Sequence, residues 1–367
     1  MNEVKFLQWT YSICILIVAL VQSFIPKYSG QGVYLGVRFS KENSARDEIK
    51  DIVGKYILYV LGLGIVLAIL MYFFIGQFQE NYYLQIILFL LAVVLIMLPI
   101  LWGNKKLKEF KIQWNDLGPK KVISESINVS GKKIGMAGNG LWLYLIPFII
   151  IVLSSAYIIN NYDKLPEMIP IHFNFAGQAD SFSEKSITVA LMPSLINLFM
   201  FATIFLSNLA YLVAKQRLEP EDPQGSLERY LLARRIWTIY FALITIAYIG
   251  LIQIGLTYLS FGNTEFSFLL TWAIIGLSAV VLIVSVILGV KVGMAGEKLP
   301  GSGVASYDSD DDSWKLGGLL YYNENDPSVF VYKRVGLGVT INLATLFGKL
   351  MLALFILIIL LSIFFIQ

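Results

Sequence analysis

A chain of 367 residues in which 57% are hydrophobic and only 14% charged is an integral membrane protein, because soluble domains carry about a quarter charged residues. The net charge of +3 is small and scattered, which excludes nucleic acid as a partner. The single cysteine, Cys14, lies in the first apolar run and excludes both an intrachain disulfide and a thiolate metal cluster.

A helix that crosses the hydrocarbon core needs roughly 20 mainly apolar residues. On that criterion the sequence predicts an all-α polytopic membrane protein of about eight transmembrane helices, near 6–25, 54–76, 82–102, 141–160, 187–213, 236–259, 266–290 and 345–366. The first run has no small-x-small cleavage site after it, so it reads as a retained span and not a signal peptide. Basic residues test the layout. Lys27, Arg38, Lys41, Arg46, Lys50 and Lys55 follow the first run, eight lysines fall between Lys105 and Lys133, and further clusters follow the fifth and seventh runs. The alternate segments hold almost none. By the positive-inside rule the rich loops are cytoplasmic, and both termini and the segment around His172 lie outside the plasma membrane. The order of elements suggests two successive four-helix halves, and the chain divides into 1–140, 141–213, 214–300 and 301–367.

Within the loops, 32–40 is strand-like, and Ser44-Ala-Arg-Asp47 resembles a helix N-cap. The outer segment holds the only histidine, His172, between Pro166, Pro170, Asn174, Gly177 and Asp180. The prolines forbid a regular helix, and Ile169-x-Ile171-x-Phe173-x-Phe175 has the strand period, so His172 and Asn174 share one edge and the apolar residues the other. Gly177 marks a turn. Nearer the C-terminus, 314–322 and 329–335 are β-prone and are joined by Asn323-Glu-Asn-Asp-Pro-Ser328, which predicts a small cytoplasmic β-hairpin. Upstream, Asp308, Asp310 and Asp312 have the spacing of a calcium loop. They lack its glycine and its bidentate glutamate, so they read as a solvated acidic linker.

The spans hold no Asp, Glu, His or Arg in their interiors, which argues against proton-coupled transport and intramembrane proteolysis. Asn197 and Asn208 share one stripe of the fifth run. They read either as a cavity lining or as interhelical hydrogen-bonding groups. No catalytic motif, phosphate loop or cofactor motif is present, and no cofactor is expected. His172 with Asp163, Glu167 or Asp180 offers few nitrogen or sulfur ligands for zinc, so no metal is assigned to it.

The residues Ile169-Pro-Ile-His172-Phe-Asn174-Phe-Ala-Gly177-Gln-Ala-Asp180 resemble the signature of SdpI-like immunity proteins of Gram-positive bacteria, over about 50 residues. The segment Gly318 to Asn342 resembles a second domain of unknown function often joined to the first. The resemblance implies immunity to a secreted toxin and retention of a cytoplasmic regulator at the membrane, although this chain carries extra helices on its N-terminal side. It makes Pro170, His172, Asn174, Gly177 and Asp180 candidates for a ligand site. The leading expectation is a non-enzymatic sensor or immunity protein, in contact with the lipid bilayer, an extracytoplasmic peptide or toxin, and a cytoplasmic regulator held by Tyr332, Lys333 and Arg334. The alternatives are a transporter with a cavity between two four-helix halves, lined by Asn197 and Asn208, and a metal-dependent envelope enzyme using His172.

Overall fold

The computed structural model describes residues 3–79, 81–116, 140–174, 177–215, 219, 222–302 and 310–365. Phe175, Ala176, Asp308, Arg217 and the lysines from Lys120 to Lys133 lie outside them. Ten α-helices are present among the described residues: α1 (Glu3–Ser23), α2 (Ile25–Tyr28), α3 (Asp47–Gln77), α4 (Tyr82–Met97), α5 (Pro99–Gln113), α6 (Leu145–Asn160), α7 (Ile187–Val213), α8 (Pro223–Ser260), α9 (Ser267–Lys291) and α10 (Leu346–Phe365). Seven helical stretches are long and apolar enough to cross a membrane, with α1–α2 and α4–α5 each counted as one. The eighth expected span coincides with α10, which has 20 residues. The chain is thus an all-α polytopic membrane protein. Phe199 is 75% exposed and Leu58 67%, on helices whose other faces are buried. Such faces would be a liability in water and are satisfied by lipid.

Two expected boundaries move. α3 starts at Asp47, after Arg46, and Ser44 does not cap it; its hydroxyl donates to the Lys41 carbonyl. The helical path also does not end at 102. Pro99 sits at the start of α5, where its missing N–H costs nothing, and the helix runs on to Gln113. Part of the expected lysine-rich loop is therefore helix.

The described chain forms two compact units, drawn from 1–124, 214–229 and 292–367 and from 125–213 and 230–291. This corrects the expectation of two successive four-helix halves: α6 belongs with α7, α9 and α8 from Tyr230 on, and α10 with α1–α5.

In the first unit, α1 and α3 pack closely. A Cβ added at Gly64 would lie 2.3 Å from the Ala19 Cβ, so small residues set the helix separation. Polar side chains bond across to carbonyls: Ser12 Oγ to Ala68 (2.9 Å), Gln8 Nε2 to Tyr72 (2.8 Å) and the Tyr56 hydroxyl to Gln22 (2.9 Å). Gly64→Leu is expected to lower the melting temperature in detergent, since overpacking typically costs about 1–3 kcal/mol. Gly62→Leu supplies the comparison, because nothing lies within 4 Å of that position. Equal melting of the two variants would show that the seam does not hold the helices.

Short hairpins complete the unit. β1 (Val33–Tyr34) pairs with β2 (Val37–Arg38) across Leu35 and Gly36, both at positive φ, the two-residue turn that suits strand twist. The predicted pairing of 314–322 with 329–335 does not form. Instead β5 (Trp314–Lys315) pairs with β6 (Leu320–Tyr321), and β7 (Phe330–Tyr332) with β8 (Val339–Ile341). The turns are made by Leu316, Gly317 and Gly318, and by Gly336 and Gly338, all at positive φ. The Asn323–Ser328 stretch is the connection between two hairpins and not the turn of one. Trp314, Tyr321 and Val331 form their common core.

In the second unit, β3 (Met168–Phe173) pairs antiparallel with β4 (Ala179–Glu184) between α6 and α7. Ile158 of α6, Leu165, Ile169 and Ala190 of α7 pack together and anchor the base of this hairpin.

Candidate functional site

The β3–β4 hairpin has two irregularities. Pro170 pairs with Phe182, His172 with Ser181 and Phe173 with Ala179, which leaves Ile171 extra on one strand and Asp180 extra on the other. Each extra residue is a bulge, and a bulge re-aims a side chain. Ile171 turns outward and is 56% exposed, so the expected alternation of apolar and polar edges breaks there. Asp180 turns toward the histidine, and its Oδ1 lies 2.5 Å from His172 Nδ1.

The rest of the motif builds the tip. The Asn174 Oδ1 accepts the Gln178 N–H (2.9 Å), its Nδ2 donates to Gln178 Oε1 (3.2 Å), and its N–H donates to the Gln178 carbonyl (2.8 Å). Gly177 has φ +78, and a Cβ there would lie 2.6 Å from Ser267 Oγ and 2.7 Å from the Phe268 nitrogen. Only glycine permits that approach, and the Ser267 hydroxyl donates to the Gly177 carbonyl across it. Lys185 straps the base, donating to the Leu165 carbonyl (3.0 Å) and lying over the Tyr162 ring. Pro170 is buried, while His172 and Asp180 are exposed.

Between the hairpin and the start of α9 runs a groove of about 640 Å³. Met168, Pro170 and Phe182 face it from the hairpin, Glu265 from the α8–α9 connection and Phe268 from the start of α9. Ser267, Phe268 and Glu265 were not singled out in the sequence. They lie about 90 residues beyond the motif, and only Gly177 hinted that a second segment comes close. Among the described residues no group of three His, Cys, Asp or Glu is placed to hold a metal, so His172 and Asp180 stand as a hydrogen-bonded pair.

Asn197 is fully buried. Its Nδ2 donates to Gln253 Oε1 of α8 (2.8 Å), and Gln253 Nε2 donates to Ser194 Oγ (2.8 Å). This is the interhelical hydrogen-bonding role of the two that its stripe allowed. Asn208 is buried further along α7.

In the first unit, the three residues expected to hold a partner separate. Tyr332 is half-buried and Lys333 exposed. Arg334 is buried, its two terminal nitrogens 2.6 Å from Asp310 and 2.5 Å from Asp311. It is a structural cation and is not presented to a soluble partner. Of the acidic stretch expected to be a solvated linker, Asp310 is instead held in an ion pair, Asp312 is exposed, and Asp308 lies outside the described residues. Asp311 is buried, with Lys111 Nζ of α5 at 2.6 Å and the Arg38 N–H at 3.3 Å. Asp310 accepts from the Trp314 indole at 3.2 Å. Nearby, Asp326 is bound by Lys215 (2.9 Å), the Tyr321 hydroxyl (2.8 Å) and the Ser328 N–H (3.0 Å). Burial works to raise its carboxyl, but these partners outweigh it and hold the group at about 2.

Residues 149–196, which span most of α6, the hairpin and the start of α7, match a domain of unknown function, DUF1648. Residues 325–349, which include β7, β8 and the start of α10, match a family of unknown function, DUF5808. Neither a curated protein nor a solved structure matches the chain.

Proposed function

We propose that this chain is a non-enzymatic sensor or immunity protein of the bacterial plasma membrane, of SdpI-like type, whose β3–β4 hairpin takes an extracytoplasmic peptide. The observation that carries the reading is the groove beside the hairpin. One wall is made by the motif residues and the other by Glu265 and Phe268. The exposed side chains of Met168, Phe182 and Phe268 supply apolar surface, each about half accessible. The surrounding charge is acidic: Asp163, Glu167, Asp180, Glu184 and Glu265 stand against Lys164 and Lys185, and Lys185 is tied down as the strap. Apolar anchors beside Glu265, on a hairpin whose flanking charge is acidic in sum, suit a cationic amphipathic peptide, steered by complementary charge. The positive-inside pattern supports an outward-facing hairpin and a cytoplasmic position for the opposite loops. A cytoplasmic regulator would meet the exposed parts of the 310–342 module, Lys333 among them, and not Arg334.

The test is survival of cells exposed to a secreted cationic amphipathic peptide, with and without the protein. Expression of the intact chain is expected to protect. Glu265→Lys and Phe182→Asp change exposed groove positions and are expected to abolish protection at unchanged membrane abundance. His172→Ala and Asp180→Ala are expected to weaken it. Protection by both groove variants equal to that of the intact chain would sink the proposal.

A further inference from the structure

A separate cavity of about 130 Å³ lies in the first unit, where Lys215, Glu219 and segments near 30–38, 295–297 and 314–334 converge. We propose that this cavity binds a phosphate group. The inference is independent of the outer hairpin.

Four basic residues line the cavity: Arg38, Lys215, Lys333 and Arg334. Lys333 is exposed and forms no ion pair among the described residues. Lys215 reaches the wall with its ammonium shared with Asp326. Two carboxylates also line it, and both are turned to internal partners. Glu219 is 2.7 Å from Arg229. Glu297 folds back onto its own loop, accepting the Met294 and Ala295 N–H groups at 3.2 and 2.6 Å. Burial pushes the Glu297 carboxyl above the usual carboxylate range, which reduces its charge toward the cavity. Arg334 is held by Asp310 and Asp311, so the cationic charge left for a ligand rests chiefly on Lys333, and lysine donors at short range are a usual recognition of phosphate. A single water needs about 10–15 Å³ of such space, so the cavity has room for a phosphate group.

Position in the chain points to the membrane surface. Gly30 follows the end of α2 by two residues, Lys215 follows the end of α7 by two, and Ala295 follows the end of α9 by four. The charge pattern puts these ends at the inner leaflet, where anionic headgroups concentrate. A lipid phosphate and a free phosphate present the same chemistry to the cavity.

The experiment uses the full chain, purified in detergent or placed in nanodiscs. Calorimetry with inorganic phosphate tests the free anion. Native mass spectrometry after extraction from phosphatidylcholine nanodiscs with and without phosphatidylglycerol tests the lipid. Lys333→Glu is expected to weaken whichever interaction is present by about tenfold or more, the equivalent of one lost charge-assisted hydrogen bond. Lys333→Arg is expected to keep it, and Lys41→Glu, an exposed lysine outside the cavity, to leave it unchanged. A calorimetric signal that Lys333→Glu removes assigns the site to free phosphate. Retained phosphatidylglycerol that Lys333→Glu removes, with no calorimetric signal, assigns it to a headgroup. Binding of neither, or equal binding by Lys333→Glu and Lys41→Glu, overturns the proposal.

Discussion

Arg334→Met is expected to unfold the 310–342 module by itself. The guanidinium is 3% exposed and neutralises Asp310 and Asp311 together, at 2.6 and 2.5 Å. Removing one partner of a buried ion pair typically costs about 3–5 kcal/mol, because the other charge is left without compensation. Two carboxylates lose a cation here. Asp311 keeps Lys111 and the Arg38 N–H, and Asp310 keeps the Trp314 indole. The double variant Arg334→Met, Asp310→Asn removes one of the two charges that Arg334 holds and is expected to regain part of the loss. Thermal melts in detergent, with limited proteolysis read at the 310–342 segment, measure both. A single variant that melts with the wild type, and is cut no faster there, would mean that the ion cluster contributes nothing to the module. The result bears on function too. A pull-down that replaces Arg334 removes the fold of the module, so only Lys333 and other exposed positions can report on a soluble partner.

The spans were legible because the bilayer imposes a length and a composition that little else in a sequence imitates. Loop charge was legible for the same reason. The outer hairpin was half legible. Its strand period and its glycine turn are local signals, but the bulges at Ile171 and Asp180 depend on which residues pair, and one chain carries no record of its register. The tie between Gly177 and Ser267 joins positions 90 residues apart, and Lys111 and Asp311 are 200 apart. Nothing in local pattern marks such partners. Arg334 shows the same limit from the other side. Tyr-Lys-Arg reads identically whether the arginine meets water or two aspartates, and the choice is made by a hairpin whose turns come from glycines at positive φ. Asn197 was legible as a polar residue on a helical stripe, and its partner Gln253 was not.

Asn342→Leu is the second change with a large expected effect. Asn342 is fully buried and uses its whole carboxamide. The oxygen accepts the Asn323 and Ala344 N–H groups, each at 3.1 Å, and the nitrogen donates to the Asn323 and Asp326 carbonyls, each at 2.9 Å. One side chain thus fastens the connection between the two hairpins to the start of α10. Leucine fits the volume but removes all four hydrogen bonds; the Asn323 carbonyl keeps a long one from the Asp326 N–H (3.4 Å). An unsatisfied buried group costs about 1–3 kcal/mol, so for the other three groups the low end amounts to about 3 kcal/mol. Asn342→Asp separates the two halves of the role. It keeps the acceptors and turns the donor side into a carboxylate facing two carbonyls. Burial and those carbonyls raise the folded-state pKa of the new acid above its unfolded value. Its folded form then binds more protons than its unfolded form, so the variant gains stability as pH falls from about 7 to about 5. Asp326 has the opposite sign. Its depressed carboxyl contributes stability above its unfolded value and loses it only as pH falls toward about 2, so it leaves that window undisturbed. Melting temperatures of wild type and Asn342→Asp across pH 5 to 7 are expected to converge toward the acid end. Parallel curves would mean that the donor half of Asn342 does not hold the connection.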